Sequence, residues 1–194
     1  MAVGDTTYRY FLYFCNNINI KLMKKIILFI LLAIASTSCF AQNDVVTEMC
    51  GVEFGSDRPT TRSILTAKYG DPNMDELNLL EFDNIRYAGI TFDFGYFSFQ
   101  TDGVRSYFNE CILGFFADTA DDAKRKREFL KGILGNKYEM QEEIEGDKFK
   151  CYYGGTSPVN SGDYAFKLYI TKVPKSGYLV SIKYGEFDYL NESL

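Results

Sequence analysis

Glu142, Glu143, Glu145 and Asp147 form the densest run of side chains able to give or take a proton, and acid–base catalysis is the chemistry such a run could supply. Catalytic carboxylate pairs normally come from separate elements that face one another across a cleft. These flank a Glu145-Gly146-Asp147 turn, so a solvated hairpin is the expected reading. Asp118, Asp121 and Asp122 lack the glycine and the distal glutamate of a calcium loop, and helix capping accounts for them. The chain has no histidine, which removes the His general base, the Ser-His and Cys-His nucleophile pairs and the His metal ligand. No metal and no cofactor is expected. Cys111 and Cys151 fall inside predicted strands and read as small buried residues. None of Cys50, Cys111 and Cys151 belongs to a Cys-x-x-Cys pair, so a redox motif or zinc ribbon is not expected. An odd count permits at most one internal bridge, and the sequence leaves its pairing open.

Binding is a different matter. Gly154-Gly155-Thr156-Ser157-Pro158 begins a predicted loop reaching Asp163, flanked by Tyr152, Tyr153 and Tyr164. A glycine-rich loop cradles phosphate when it leads into a helix amino terminus, and this one leads into a strand. Tyrosine combines a large contact area with a polar tip, and loops on a rigid sheet concentrate binding residues. Tyr152, Tyr153 and Tyr164 are therefore the candidate binding residues. Tryptophan is absent, which weakens a sugar-stacking reading, although 15 Tyr and 17 Phe supply other aromatic surfaces.

The elements that must position these residues are well punctuated. Ser56 is the expected cap of a first helix carrying Ile64, Leu65 and Tyr69 on one side and ending at Gly70 and Pro72. A second helix is expected from Ala120 to Leu134, capped by Thr119, stopped by Gly135, with Ala123, Leu130, Ile133 and Leu134 as its buried stripe. Its Lys124-Arg125-Lys126-Arg127 run reads as a solvated face. Aromatic and β-branched residues alternate with polar ones over 85–90, 91–100, 104–116, 138–143, 148–153, 166–173 and 178–184, the pattern of half-exposed antiparallel strands. Tyr178, Val180, Ile182 and Tyr184 share one face. Phe92, Phe94, Phe97 and Phe99 are expected in the core. Together these predict an α+β fold, two helices packed on one face of an antiparallel sheet of about six to eight strands. The phrases Lys68-Tyr69-Gly70 and Lys137-Tyr138 hint at two related helix-plus-strands units.

Residues 23–41 have the form of a secretory signal peptide: Lys24 and Lys25, an apolar run from Ile26 to Ala35, then small side chains at Cys39 and Ala41. Translation is expected to start at Met23, which makes residues 1–22 a non-native leader and 42–194 a single globular domain. The apolar run is about half the roughly 20 residues a membrane-spanning helix needs, so no transmembrane segment is expected. Acidic residues outnumber basic ones, 26 to 21, which disfavours nucleic acid as a partner.

Cys50-Gly51-Val52-Glu53-Phe54-Gly55-Ser56, Tyr87-Ala88-Gly89-Ile90-Thr91-Phe92-Asp93 and Gly154-Gly155-Thr156-Ser157-Pro158 are similar to segments of a family of uncharacterised exported proteins of Bacteroidetes. That resemblance implies a compartment and a lineage, with no activity attached. In element order alone, the two-unit arrangement resembles the folds of beta-lactamase-inhibitor proteins and of small outer-membrane assembly lipoproteins.

The expectation is an exported, periplasmic or secreted, non-enzymatic module that binds a protein, peptide or glycan. The rival is a hydrolase or transferase working through carboxylates. Cleavage is expected after Ala41, so intact-mass measurement of the exported protein should find Gln42 at its amino terminus. A diacylglycerol adduct on Cys39 would instead mark a membrane-tethered lipoprotein.

Overall fold

The computed structural model describes residues 45–145, 149–160 and 162–189, all within one compact unit. The leader 1–22 and the signal segment 23–41 lie outside the described residues.

A small hairpin comes first, β1 (Glu48–Met49) and β2 (Val52–Glu53), with Cys50 and Gly51 turning the chain at positive φ. Helix α1 (Arg58–Tyr69) is capped by Asp57, not Ser56: the Asp57 carboxylate accepts from the Thr60 N–H at 2.8 Å. The reason is tertiary. The Ser56 carbonyl accepts from the Phe108 N–H at 2.8 Å, which commits Ser56 to the extended segment before the helix. Gly70 ends α1 at a φ of 89°, a conformation open to glycine at little cost.

Four strands follow, β3 (Met74–Glu76), β4 (Leu79–Tyr87), β5 (Ile90–Thr101) and β6 (Ser106–Ala117). The expected strand over 85–90 is corrected here, because Ala88 and Gly89 take φ values of 50° and 80° and turn β4 into β5. The strand begins earlier, at Leu79, and a short edge strand precedes it. Acidic Asp75, Glu76, Glu81 and Asp83 dilute the apolar alternation there and conceal the edge strand and the start of β4 from pattern reading. Helix α2 (Ala120–Gly135) is capped as expected by the Thr119 hydroxyl, 3.2 Å from the Asp122 N–H, but it runs through Gly135 to a cap at Asn136. Then come β7 (Met140–Glu145), β8 (Phe149–Thr156), β9 (Tyr164–Val173) and β10 (Gly177–Tyr184).

The sheet has eight strands in the order β3-β4-β5-β6-β10-β9-β8-β7, antiparallel at every pairing. With the β1–β2 hairpin and two helices, the fold is α+β. Each helix is followed by a four-stranded meander, and the last strands of the two meanders, β6 and β10, pair at the centre. Tyr152, Leu168, Ile182, Leu113, Gly95 and Phe82 lie in register across β8, β9, β10, β6, β5 and β4. This row lies in the core. Gly95 leaves no room for a side chain in this row, since a Cβ there would come 2.8 Å from Ile85 Cγ1. The spacing that separates Lys68-Tyr69 from Lys137-Tyr138 also separates Leu65 from Leu134 and Leu113 from Ile182, which are direct partners.

Phe92, Phe94, Phe97 and Phe99 are all buried. Leu65 on α1 is fully buried and the Tyr69 ring meets Phe82 at 6.1 Å, while α2 contacts β10, β9 and β6. Ala123, Leu130 and Leu134 are buried on α2, but Ile133 is partly exposed and Arg127 takes a buried place instead. Truncating Leu65 to Ala should cost roughly 2–5 kcal/mol by opening a cavity. Ile64→Ala, one residue away on the exposed side, should cost well under half of that. Denaturant midpoints of the two variants check the assignment, and equal losses would contradict it.

Candidate functional site

The tyrosines singled out in the sequence divide at once. Tyr152 is 2% exposed. Its hydroxyl donates to Glu128 Oε1 at 3.3 Å, and its ring lies 4.2 Å from Lys131 Nζ and 5.4 Å from the Arg127 guanidinium. Arg127 Nη1 in turn donates to the Lys150 carbonyl at 2.9 Å. These contacts clamp α2 to β8, so Tyr152 is a packing residue and is withdrawn from the surface. Tyr153, one position on, must point to the opposite side of the sheet. There it meets Tyr164, ring centroids 5.6 Å apart, and Tyr164 is 42% exposed.

The predicted loop after Tyr153 is shorter than expected, because β8 continues through Gly154 and Gly155 to Thr156. Gly154 belongs to the sheet: it pairs with Phe166, whose ring would be 2.8 Å from a Cβ at that position. The remaining turn is closed by the Asp163 carbonyl accepting from Ser157 N–H at 3.0 Å. The tyrosines are therefore held by strands.

A cleft of about 460 Å³ opens beside them, lined by Tyr153, Tyr164, Lys167, Tyr169, Lys183 and Gly185 among others. Lys167 Nζ stands 5.5 Å from the Tyr153 ring and 5.4 Å from the Tyr169 ring, within cation–π range of both. Burial pushes the Tyr169 hydroxyl up from its ordinary value, which keeps it a neutral hydrogen-bonding group. Lys183 bridges two carboxylates, 2.7 Å to Glu110 Oε2 and 2.9 Å to Glu186 Oε1. Beyond it lies a more polar cleft of about 320 Å³ lined by Glu76, Asn78, Ser98, Asn109, Glu110 and Glu186. Tyr169, Lys167, Lys183, Glu110 and Glu186 were missed in the sequence. The signal was available: if Val180, Ile182 and Tyr184 face inward, Ser181 and Lys183 face outward, and the same parity turns Lys167 and Tyr169 to that side.

Other sequence candidates lie apart. Glu142 forms an ion pair with Lys150 at 2.6 Å, which holds its carboxyl below the usual range. Glu143 is exposed on the same edge strand, and Asp147 lies outside the described residues. A third, apolar cleft of about 120 Å³ lies between α2 and the sheet, lined by Phe92, Leu130, Ile133, Tyr138, Ile182 and Tyr184. Among the described residues no group of three or more Cys, Asp or Glu is arranged to hold a metal ion, and no helix is long and apolar enough to cross a membrane.

Compared with protein-family models, curated proteins and solved structures, the chain matches none.

The Lys183 ammonium, hydrogen-bonded to Glu186, holds that carboxyl below its usual range. A carboxyl lowered in the folded state stabilises above its unfolded pKa, about 4.3, and loses that contribution as pH falls through the folded value. Glu186→Gln should therefore flatten the acid side of the stability profile below about pH 5. Melting temperatures of wild type and variant across this range check it, and identical slopes would show the pair to be energetically silent.

Proposed function

We propose that the chain is an exported, non-enzymatic binding module that holds a protein, peptide or glycan partner on the sheet face bearing Tyr153, Tyr164 and Tyr169. The carrying observation is the strand-borne cleft of about 460 Å³ in which the Tyr153 and Tyr164 rings pack together beside Lys167. Rigid aromatic side chains present contact area while losing little conformational freedom on binding. Contacts of Tyr69 with Phe82 and of Lys126 with Phe115 support both helices lying on the opposite face, which leaves this one open. The signal-like segment 23–41 supports export. The fold analogy with beta-lactamase-inhibitor proteins belongs to the same reading and adds no residue to it.

The enzyme alternative is favoured by one observation, the approach of Glu110 and Glu186 from different segments around Lys183. A carboxylate acid–base pair needs one member kept protonated near neutral pH. Glu186 is lowered and does not supply that member, and the stacked tyrosine cleft is the better-defined feature. The binding reading is therefore preferred.

Single Tyr153→Ala and Tyr164→Ala variants should weaken capture of a partner isolated from the cell envelope by about tenfold or more, at nearly unchanged melting temperature. Glu142→Gln and Glu143→Gln should bind as wild type. Tyr152→Ala should lose roughly 3 kcal/mol or more of stability, because it empties a core position. Undiminished binding by both stable surface variants would dispose of the site, and a turnover abolished by Glu186→Gln would establish the enzyme.

A further inference from the structure

The sequence leaves open which of Cys50, Cys111 and Cys151 could pair, and the fold narrows it to one combination. Cys151 lies in β8, three strand spacings from β6 in the order β6-β10-β9-β8, roughly 14 Å from Cys111 at 4.8 Å per strand. It also points to the other face, because its neighbour Tyr152 shares the core row with Leu113. A disulfide needs Cα atoms within about 7 Å, so Cys151 is excluded as the partner of Cys111.

Cys50 is brought to Cys111 by backbone pairing. The Gly55 N–H donates to the Phe108 carbonyl at 2.7 Å, the Phe108 N–H donates to the Ser56 carbonyl at 2.8 Å, and Phe54 stacks on Phe108 at 4.7 Å. The β1–β2 hairpin is thereby laid over the start of β6. Both cysteines are fully buried in the same apolar cluster, near enough for each thiol to perturb the ionisation of the other. Lys68 Nζ reaches the Cys50 carbonyl at 3.1 Å, placing a positive charge beside that residue.

We propose that Cys50 and Cys111 are a disulfide-forming pair that fastens the amino-terminal hairpin to the central strand β6. The oxidant is a disulfide, either that of a thiol–disulfide oxidoreductase or glutathione disulfide. Cys50 thiolate attacks one of its sulfurs and expels a thiolate, giving a mixed disulfide. Cys111, deprotonated, then attacks Cys50 sulfur and releases the second thiolate. Two protein thiols thus lose two protons and two electrons, and the oxidant is reduced to two thiols. Both sulfurs are buried once the hairpin docks, so exchange precedes docking. The enclosed loop contains α1, β3, β4 and β5, and cross-linking it restricts the unfolded chain. The inference rests on the proposed export in one respect, that an envelope compartment supplies such an oxidant.

The test separates the two. The purified chain is refolded in a glutathione buffer containing both the oxidised and the reduced form, denatured, alkylated and examined by intact mass and non-reducing peptide mapping. The expected result is a peptide linking Cys50 to Cys111, retained in Cys151→Ser, with an unfolding midpoint that falls on adding reductant. Cys111→Ser should abolish both the linked peptide and the reductant-dependent shift. Should that variant fail to fold, mapping of the wild type and of Cys151→Ser still decides. Full alkylation of Cys50 and Cys111, glutathione retained on Cys50, or a link to Cys151 would each overturn the pairing. In cells, the same mapping on the envelope fraction should find the link. A chain that forms it in the buffer but stays inside the cell with reduced thiols refutes export and leaves the pairing intact.

Discussion

The antiparallel pairing of β6 with β10 is the interaction on which the rest depends. Each four-stranded meander has two edges and one apolar face. Joining them edge to edge removes two exposed edges and produces an eight-stranded sheet with a continuous buried row. Gly114 shows how tight the junction is, since a Cβ there would sit 2.7 Å from the Val180 carbonyl oxygen. Opposite Gly114 is Ser181, 3% exposed, so two small residues meet where the two meanders join.

The same pairing sets the symmetry. Leu113 and Ile182 hold equivalent places in the two meanders by spacing, and they are also direct partners. Two antiparallel strands whose equivalent residues face one another are related by a local two-fold axis between them, the arrangement an isologous contact requires. Leu65 and Leu134 then occupy corresponding places on the two helices, and both are buried. Symmetry ends at the surface. After the amino-terminal hairpin, Phe54 stacks on Phe108 of the first meander, and the tyrosine cleft forms on the second.

How much of this was legible follows from where physics leaves a local mark. Helix ends are local, so Thr119 and Gly70 could be read from sequence, as could Ala123, Leu130 and Leu134 of the α2 stripe but not the exchange of Ile133 for Arg127, and period two identified β9 and β10. The Ser56 cap failed because a partner distant in sequence, Phe108, claimed its carbonyl. β3 and the first part of β4 were hidden because acids on their exposed side dilute the apolar alternation. At the candidate site, composition pointed to Tyr153 and Tyr164, while Tyr152 could be assigned to the core only once its contact with Glu128 was visible. Lys167 and Lys183 carried a parity signal, but their meeting depends on register between β9 and β10, which sequence alone does not specify.

On the proposed reading, the register also favours recognition by aromatic contact over recognition by charge. Tyr153, Lys167, Lys183, Ile112, Tyr96 and Glu81 lie in one row across β8, β9, β10, β6, β5 and β4, on the side opposite the core row. Two lysines side by side would repel, and each is provided for: Lys183 by Glu110 and Glu186, Lys167 by the π faces of Tyr153 and Tyr169. A lysine engaged by two carboxylates offers little net attraction to an anion, and a partner would have to displace those bonds to use it. The tyrosines contribute ring surface instead. Their rings are already ordered against neighbours, so contact with a partner would remove apolar area from water without first ordering the side chains. On the proposed reading the lysines set the spacing of the aromatic surface, and the tyrosines make the contact.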